Sequence, residues 1–178
     1  MSKNITKTLV VSAMSIAVAT VLSMIKIYDP PMGGSITLCS MLFVTIVGYL
    51  FGLRQGLVAG FTYGIIQLIL GPYIIHPAQL ILDYFLSFGA LGLSGCVRNK
   101  KHGLIAGYWI GVTGRFVFSF LSGFIFFGSA CKDYGLTSPI IYSILYNAAY
   151  LYGEAVLTTV ILVIPAVQKA IGRIKTND

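Results

Sequence analysis

Long apolar runs cover most of this chain and are broken only by short polar segments. Of its 178 residues, 57% are hydrophobic and 10% are charged. About 20 consecutive apolar residues cross a bilayer as an α-helix, so each run is a candidate membrane span. The predicted spans are residues 8–27, 38–52, 55–71, 77–97, 103–127 and 139–167. We therefore expect an all-α integral membrane bundle of six transmembrane helices.

The second and third spans are short, and only Leu53 and Arg54 separate them. They are expected to form a tight helical hairpin, with room for one irregular helix. Glycine and proline at the other breaks favour helix ends. Residues 1–178 are expected to form a single membrane-embedded domain, because no polar stretch is long enough for a soluble one.

The distribution of lysine and arginine predicts the orientation. With the N-terminus inside, outer loops carry only Lys26 and Lys132, and the inner segments carry nine basic residues. This bias places both termini in the cytoplasm of a multi-pass protein. The asymmetry and attraction to anionic lipid account for the net charge of +7, which therefore does not indicate nucleic-acid binding. The first apolar run continues past its signal-like Ala17-Val18-Ala19, so we expect an uncleaved helix.

Several kinds of chemistry have no motif in the sequence. It contains no phosphate-binding loop, no H-E-x-x-H and no G-x-S-x-G, and we expect no catalytic residue, cofactor or metal. If the chain moves a solute with ATP, a partner must supply the energy. Cys39 and Cys131 are both expected toward the outside, where a disulfide between them stays an open question.

Polar and aromatic residues reach one depth from three separate spans. Asp83 and Tyr84 lie about 9 to 11 Å into the fourth span from its outer end, at 1.5 Å per residue. Ser119, Phe126 and Phe127 occupy the outer half of the fifth span. The sixth carries Tyr142, Tyr146 and Tyr150 at intervals of four residues, with Asn147 on nearly the same face. This composition suits a pocket for a small aromatic or cationic ligand taken from outside.

Other interpretations of these residues stay open at this point. Tyrosines near an interface also form aromatic belts, and a buried aspartate such as Asp83 also serves as a structural hydrogen-bonding group. Arg115 and Glu154 lie near the middle of the fifth and sixth spans. Mutual pairing is the cheapest arrangement for two opposite charges there, so we predict a structural ion pair.

A series of short segments along the chain carries a family pattern: Gly33-Gly34-Ser35-Ile36-Thr37-Leu38, Ser40-Met41, Arg54-Gln55-Gly56, Ala59-Gly60, Tyr73-Ile74-Ile75-His76-Pro77-Ala78-Gln79, Leu82-Asp83-Tyr84, Arg115-Phe116, Ser122-Gly123, Phe126-Phe127 and Tyr142-Ser143-Ile144-Leu145-Tyr146-Asn147. The pattern spans nearly the whole chain in order and ends near Glu154. With these segments the chain resembles the thiamine-specific substrate-binding subunit of energy-coupling factor transporters.

The resemblance implies a six-helix bundle in a prokaryotic plasma membrane that captures thiamine tightly in an outer pocket. It also implies partners: a transmembrane coupling subunit and two cytoplasmic ATPases. The first outer loop, with Gly34 and Ser35, would act as a lid. The ligand contacts that it implies come from Asp83, Tyr84, Phe127, Tyr142 or Tyr146, and Asn147.

Two positions depart from the family pattern. Its members typically carry histidine where this chain has Ser119, and some carry tryptophan where it has Phe127. Ser119 is kept in the expected site, and a thiamine precursor such as hydroxymethylpyrimidine, or another small heterocycle, stays an alternative ligand. Two alternatives come from other functional classes of protein. One is a small intramembrane enzyme that uses Asp83 and Glu154, and the other is a purely structural membrane subunit.

The first helix carries the residues expected to face a partner. Ala13 and Ala17 form a small-xxx-small pair, which lets another helix approach closely. Ordinary packing inside the bundle explains such a pair equally well. The resemblance, in which this helix docks onto the coupling subunit, favours docking.

Overall fold

Helices account for most of the chain in the computed structural model, which describes residues 2–30 and 34–176. The elements, in chain order, are α1 (Ser2–Ser23), β1 (Lys26–Tyr28), β2 (Ile36–Thr37), α2 (Ser40–Phe51), α3 (Leu53–Leu70), α4 (Pro77–Val97), α5 (Gly103–Phe126), α6 (Pro139–Val163) and α7 (Pro165–Thr176). A short 3₁₀ turn, Gly128–Lys132, follows α5.

The helices α1 to α6 correspond to the six predicted spans. Within the described residues, α1, α3, α4 and α5 are each long and apolar enough to cross a membrane, and α6 with α7 qualifies as a fifth, bent span. The apolar helix α2 has 12 residues and reaches about 18 Å, less than a typical hydrocarbon core. The sequence also indicated that this span is short.

Proline and a capping side chain begin two of the helices. Ser138 Oγ accepts a hydrogen bond from the Ile141 amide at 3.5 Å, and Pro139 takes the first helical position of α6. His76 Nδ1 accepts from the Ala78 amide at 3.1 Å in front of Pro77, which begins α4. Proline suits this position because the first amides of a helix have no partner within it.

The first predicted span is too long at its C-terminal end. We expected a helix to Ile27, but α1 ends at Ser23 and Lys26–Tyr28 forms a strand. That strand pairs antiparallel with Ile36–Thr37. Backbone pairing to a segment further along the chain overrides the apolar pattern, which by itself does not distinguish a helix from a strand.

The irregular helix is α4, and α2 and α3 are both regular. Only Gly52 separates α2 from α3, which begins at Leu53. Within α4, Ile81–Leu86 forms a wide π-helical turn and Leu91–Val97 forms tight 3₁₀ turns. Such departures are common where a helix serves a functional site.

The sixth predicted span is broken near its inner end. We expected it to continue to Val167, but α6 ends at Val163 and α7 leaves at an angle of 84°. Ile164 has an extended backbone with ψ of 120°. Proline restricts the residue before it to this conformation, so Pro165 explains the break.

The surface of the bundle is apolar, as expected for a protein surrounded by lipid. Met41, Val44 and Leu91 are fully buried among the helices, whereas Ile69 is 76% exposed. A soluble protein would rarely expose so large an apolar surface. The all-α membrane bundle that the sequence predicts is therefore the observed architecture.

The two cysteines that the sequence predicts toward the outside are free thiols. Cys39 immediately precedes α2, Cys131 lies in the Gly128–Lys132 turn, and both are buried. The disulfide that the sequence left open is not formed.

A close approach of three helices generates the first prediction. A Cβ atom at Gly56 of α3 would lie 2.7 Å from both Gly48 Cα of α2 and the Gly92 carbonyl oxygen of α4. These are backbone atoms, which cannot move without shifting whole helices. We expect Gly56→Val to lower the free energy of unfolding by about 1–3 kcal/mol, the usual cost of overpacking.

Thermal unfolding in detergent, followed by circular dichroism, measures this effect. Gly172→Ala in α7 is the control, because a Cβ atom there meets no other atom within 4 Å. The control is expected to keep or slightly raise stability, since alanine favours the helix. Equal unfolding temperatures for Gly56→Val and the wild type would contradict the close helix packing.

Candidate functional site

A cavity of about 330 Å³ opens at the end of the bundle that carries the β1–β2 segment and the start of α6, the end that the sequence predicts to face outside. Residues of the β1–β2 segment and of helices α3 to α6 line it, and they include Arg115 of α5 and Glu154 of α6. All the residues that the sequence predicts for ligand contact line this cavity: Gly34, Ser35, Asp83, Tyr84, Ser119, Phe127, Tyr142, Tyr146 and Asn147. The fold therefore brings these scattered positions together at one site.

Asp83 supplies the carboxylate on the α4 side of the cavity. Its Oδ2 atom accepts hydrogen bonds from Gln79 Nε2 at 3.0 Å and from Ser122 Oγ at 2.8 Å. No hydrogen bond from the described residues reaches its other oxygen, Oδ1. One oxygen thus fixes the side chain in place, and the other remains an acceptor within the cavity wall.

Aromatic rings form a further part of the cavity wall. Tyr73 stacks on Phe127 with ring centroids 5.8 Å apart. The Tyr142 and Tyr146 rings lie 5.6 Å apart, and Tyr150 follows at 6.0 Å from Tyr146. The periodicity of α6 puts these three tyrosines on one face, and ring faces of this kind attract cations.

Neighbouring polar groups hold the smaller side chains of the site. Asn147 Oδ1 accepts a hydrogen bond from the Tyr150 hydroxyl at 2.9 Å, and its Nδ2 donates to the Ser143 carbonyl at 2.9 Å. The Ser119 and Ser87 hydroxyl oxygens lie 2.9 Å apart, which joins α5 to α4. The amide and the hydroxyl are thus held in fixed positions beside the aromatic wall.

The first outer loop lies directly on the site. Gly34 has φ of 78°, and a Cβ atom there would lie 2.7 Å from the ring of Tyr150. Only glycine combines this backbone conformation with so close an approach. Gly33, which the resemblance also includes, lies outside the described residues, whereas Gly34 and Ser35 both border the cavity. Within the loop, Lys26 Nζ forms a salt bridge with Asp29 at 2.9 Å.

Glu154 is buried and joins α6 to the end of the first outer loop. Its Oε2 accepts hydrogen bonds from the amide and hydroxyl of Thr37, at 3.0 and 2.7 Å. Its Oε1 accepts from the Met41 amide at 3.1 Å and from Ser40 Oγ at 3.3 Å. The predicted ion pair with Arg115 is therefore wrong: backbone and hydroxyl donors at the start of α2 satisfy this carboxylate instead.

Arg115 has a different partner from the one expected. Its guanidinium carbon lies 4.1 Å from the centroid of the Phe88 ring, in a cation–π contact. No salt bridge within 4 Å joins it to Glu154 in the described part of the chain. The ring face of Phe88 and the polar cavity together accommodate the charge, so a carboxylate partner is not required.

The sequence matches the family described as thiamine transporter protein (Thia_YuaJ) over residues 9–172. The chain belongs to this family. It is 29% identical to the thiamine transporter ThiT of Bacillus subtilis (strain 168), over 178 aligned residues that cover 90% of each chain. It is 30% identical to ThiT of Lacticaseibacillus paracasei over 131 residues, which cover 62% of this chain and 64% of that protein.

A solved structure shows the same fold. The structure of ThiT from Listeria monocytogenes matches with a TM-score of 0.76, covering 91% of this chain and 93% of that chain at 24% identity. The prediction of a thiamine transporter family member with an all-α membrane fold is confirmed. The family is one of transporters and not of enzymes.

Several groups of this transporter's cavity escaped the sequence analysis. Gln79 lies one helical turn before Asp83, a spacing that could have indicated its role as a hydrogen-bond donor. Tyr150 was part of the predicted tyrosine face but was not assigned to the site. The sequence analysis assigned no site role to a larger set of residues that line the cavity. Three of them, Thr37, Ser40 and Tyr73, lie in the segments that carry the family resemblance, and the other three, Tyr63, Gln67 and Phe88, had no signal.

The two alanines of α1 lie away from the cavity. Ala13 and Ala17 are exposed and line a separate groove of about 380 Å³ between α1 and α3. The walls of this groove are mainly apolar, with Leu9 and Ile16 on one side and Val58 and Ile66 on the other. Packing inside the described bundle therefore does not cover these alanines.

The hydrogen bonds of Glu154 generate the second prediction. In Glu154→Gln, an amide NH₂ group would face donors that now bond to a carboxylate oxygen. Each bond to a charged group contributes about 1.5–3 kcal/mol, so we expect a loss of unfolding free energy of about 2–4 kcal/mol. Loosening the loop is also expected to speed dissociation of any ligand held beneath it.

Thermal unfolding and stopped-flow dissociation of bound thiamine measure the two effects. Ser40→Ala is the milder comparison, since it leaves three of the four bonds to Glu154 in place. It removes the longest of them, at 3.3 Å, together with the 2.7 Å hydrogen bond between the Ser40 and Thr37 hydroxyls. We expect it to cost about 1–2 kcal/mol, less than Glu154→Gln. If Glu154→Gln were no less stable than Ser40→Ala, Glu154 would not be the group that fixes the loop.

Proposed function

We propose that the protein is the thiamine-binding subunit of an energy-coupling factor uptake transporter. The observation that carries this proposal is the outer cavity. It combines a wall of aromatic rings with the Asp83 carboxylate, whose Oδ1 atom accepts no hydrogen bond from the described residues. Its volume falls at the lower end of the range for small-molecule sites. Membership of the thiamine transporter family and the names of the relatives support thiamine as the ligand.

The chemistry of thiamine matches these groups. Thiamine carries a permanent thiazolium charge, which the faces of Phe127, Tyr142 and Tyr146 can attract. Its aminopyrimidine offers N–H donors and ring-nitrogen acceptors, which Asp83 Oδ1 and the Asn147 amide can satisfy. Tyr84 belongs to the wall on the α4 side, and a hydrogen bond from the Tyr73 amide to its hydroxyl, at 3.0 Å, holds it there.

The first outer loop is proposed to be the lid of this site. Gly34 and Ser35 border the cavity, and Glu154 holds the loop's C-terminal end against α6. Ligand entry from outside then requires the part of the loop before Thr37 to move. Ser119, where the family resemblance implies histidine, would leave a less aromatic wall beside a bound ligand.

Energy for transport is proposed to come from partner subunits in the plasma membrane of a bacterium. The sequence has no phosphate-binding loop, so a partner would have to hydrolyse ATP, and the family resemblance implies two cytoplasmic ATPases for this role. A transmembrane coupling subunit would connect them to this chain. The apolar groove with Ala13 and Ala17 is the proposed contact, because small residues let a neighbouring helix approach closely.

A direct test is to identify the ligand that co-purifies with the detergent-extracted protein by mass spectrometry. Titration calorimetry on the ligand-free protein should then compare thiamine with hydroxymethylpyrimidine. We expect tighter binding of thiamine, because only thiamine carries the cationic ring. A protein that ignores micromolar thiamine but binds another heterocycle would refute thiamine as the ligand and leave the transporter class to be reassigned.

The third prediction concerns the carboxylate. We expect Asp83→Asn to weaken thiamine binding at least tenfold, or about 1.4 kcal/mol, because the amide removes the charge and one acceptor. Calorimetry on purified protein measures the affinity. Asp133→Asn is the control, since Asp133 lies on the outer side but not in the cavity. Unchanged affinity in Asp83→Asn would remove this residue from the site.

The fourth prediction separates binding from transport. A bulky side chain in Ala13→Trp would fill the groove and keep the coupling helix away. We expect thiamine uptake by cells to be lost, with normal thiamine binding by the isolated subunit. Met14→Trp adds the same bulk to an exposed position of α1 outside the groove, and uptake should survive there. Loss of both activities in Ala13→Trp would instead show that Ala13 holds the bundle together.

A further inference from the structure

The last helix, α7, does not continue the membrane span that precedes it. It leaves α6 at 84°, so it runs nearly along the membrane plane if α6 crosses the bilayer. Gln168 Nε2 donates a hydrogen bond to the Leu162 carbonyl at 2.8 Å, across the break. This bond satisfies a carbonyl that the interrupted helix leaves without its usual partner and holds the bend in place.

The sequence of α7 separates apolar from basic residues. Val167, Ile171 and Ile174 recur at intervals of four and three residues and therefore share one face. Ile171 is buried against the core, whereas Ile174 is 41% exposed. Lys169 and Arg173 are four residues apart on the opposite face, and both are exposed. This arrangement is typical of helices that lie in the membrane interface.

The charge around α7 matches an anionic surface. Arg54, Lys100 and Lys101 lie on the same side of the bundle, and the excess of basic residues marks that side as cytoplasmic. The four acidic residues within the described part of the chain, Asp29, Asp83, Asp133 and Glu154, lie in the outer loops or inside the bundle. Anionic headgroups in the inner leaflet attract such basic segments.

We propose that α7 is an interfacial anchor that binds anionic phospholipid headgroups of the cytoplasmic leaflet through Lys169 and Arg173. Its apolar face packs on the inner end of the bundle through Ile171 and reaches the acyl chains through Ile174. The two cations on the other face lie at headgroup level. This role depends on the membrane fold and not on the identity of the transported ligand.

The test compares the full chain in nanodiscs of phosphatidylcholine with nanodiscs that also contain phosphatidylglycerol. We expect the anionic lipid to raise the midpoint of thermal unfolding of the wild type, and added salt to reduce this gain by screening. In Lys169→Gln/Arg173→Gln, less than half of the gain should remain. The charge-conserving pair Lys169→Arg/Arg173→Lys should keep the gain, which separates charge from side-chain shape.

A matched control removes the same charge elsewhere. Lys100→Gln/Lys101→Gln changes two exposed basic residues of the loop before α5 on the same membrane side, and it should keep most of the gain. Thiamine affinity should be unchanged in all of these variants. An equal loss in the loop and helix variants would assign the effect to net charge and overturn the anchor. A wild type that gains nothing from phosphatidylglycerol would overturn it as well.

Discussion

A carboxylate buried in a membrane bundle needs hydrogen-bond donors from the protein itself, and Glu154 has them in the residues that lead into α2 and in its first turn. The amides of Thr37 and Met41 and the hydroxyls of Thr37 and Ser40 all donate to it, at 2.7 to 3.3 Å. Met41 lies in the first turn of α2, where helix amides lack partners and the helix dipole favours a negative charge. The Glu154 carboxylate thus gives an amide in the first turn of α2 a hydrogen-bond partner, and the four donors in turn stabilise its buried charge.

The position of this interaction explains why the site is assembled from distant segments. Thr37 ends β2, the second strand of the first outer loop, and Glu154 lies on the same helix as the tyrosines and Asn147. Fixing Thr37 against α6 places Gly34 on the Tyr150 ring. The hydrogen bonds of Glu154, which itself lines the cavity, therefore position the loop and the aromatic wall relative to one another.

Residues with a strong local signal could be predicted from the sequence. Asp83 was identified because a carboxylate inside an apolar run is costly, and the face shared by Tyr142, Tyr146 and Asn147 follows from helical periodicity. The partners of Glu154 could not be predicted, since backbone amides more than a hundred residues away look the same in any sequence. An opposite charge at similar depth, Arg115, was the visible alternative. The bend had a signal in Pro165, since proline inside a helical pattern ends or kinks the helix, but the apolar character that continues past it predicts an unbroken span.

The wide π-helical turn at Ile81–Leu86 shifts the register of α4 within the wall of the cavity. Such a turn holds one more residue than a regular α-helical turn, so side chains after it are rotated relative to those before it. Gln79 above the turn and Ser87 below it both contact residues of the cavity, and Asp83 and Tyr84 lie between them. Deleting one residue from this turn would let the helix become regular with its two flanks nearly unmoved, and the side chains of the turn itself, Asp83 and Tyr84, would lose their positions in the wall. The composition of the site is therefore set by residue count as much as by residue type.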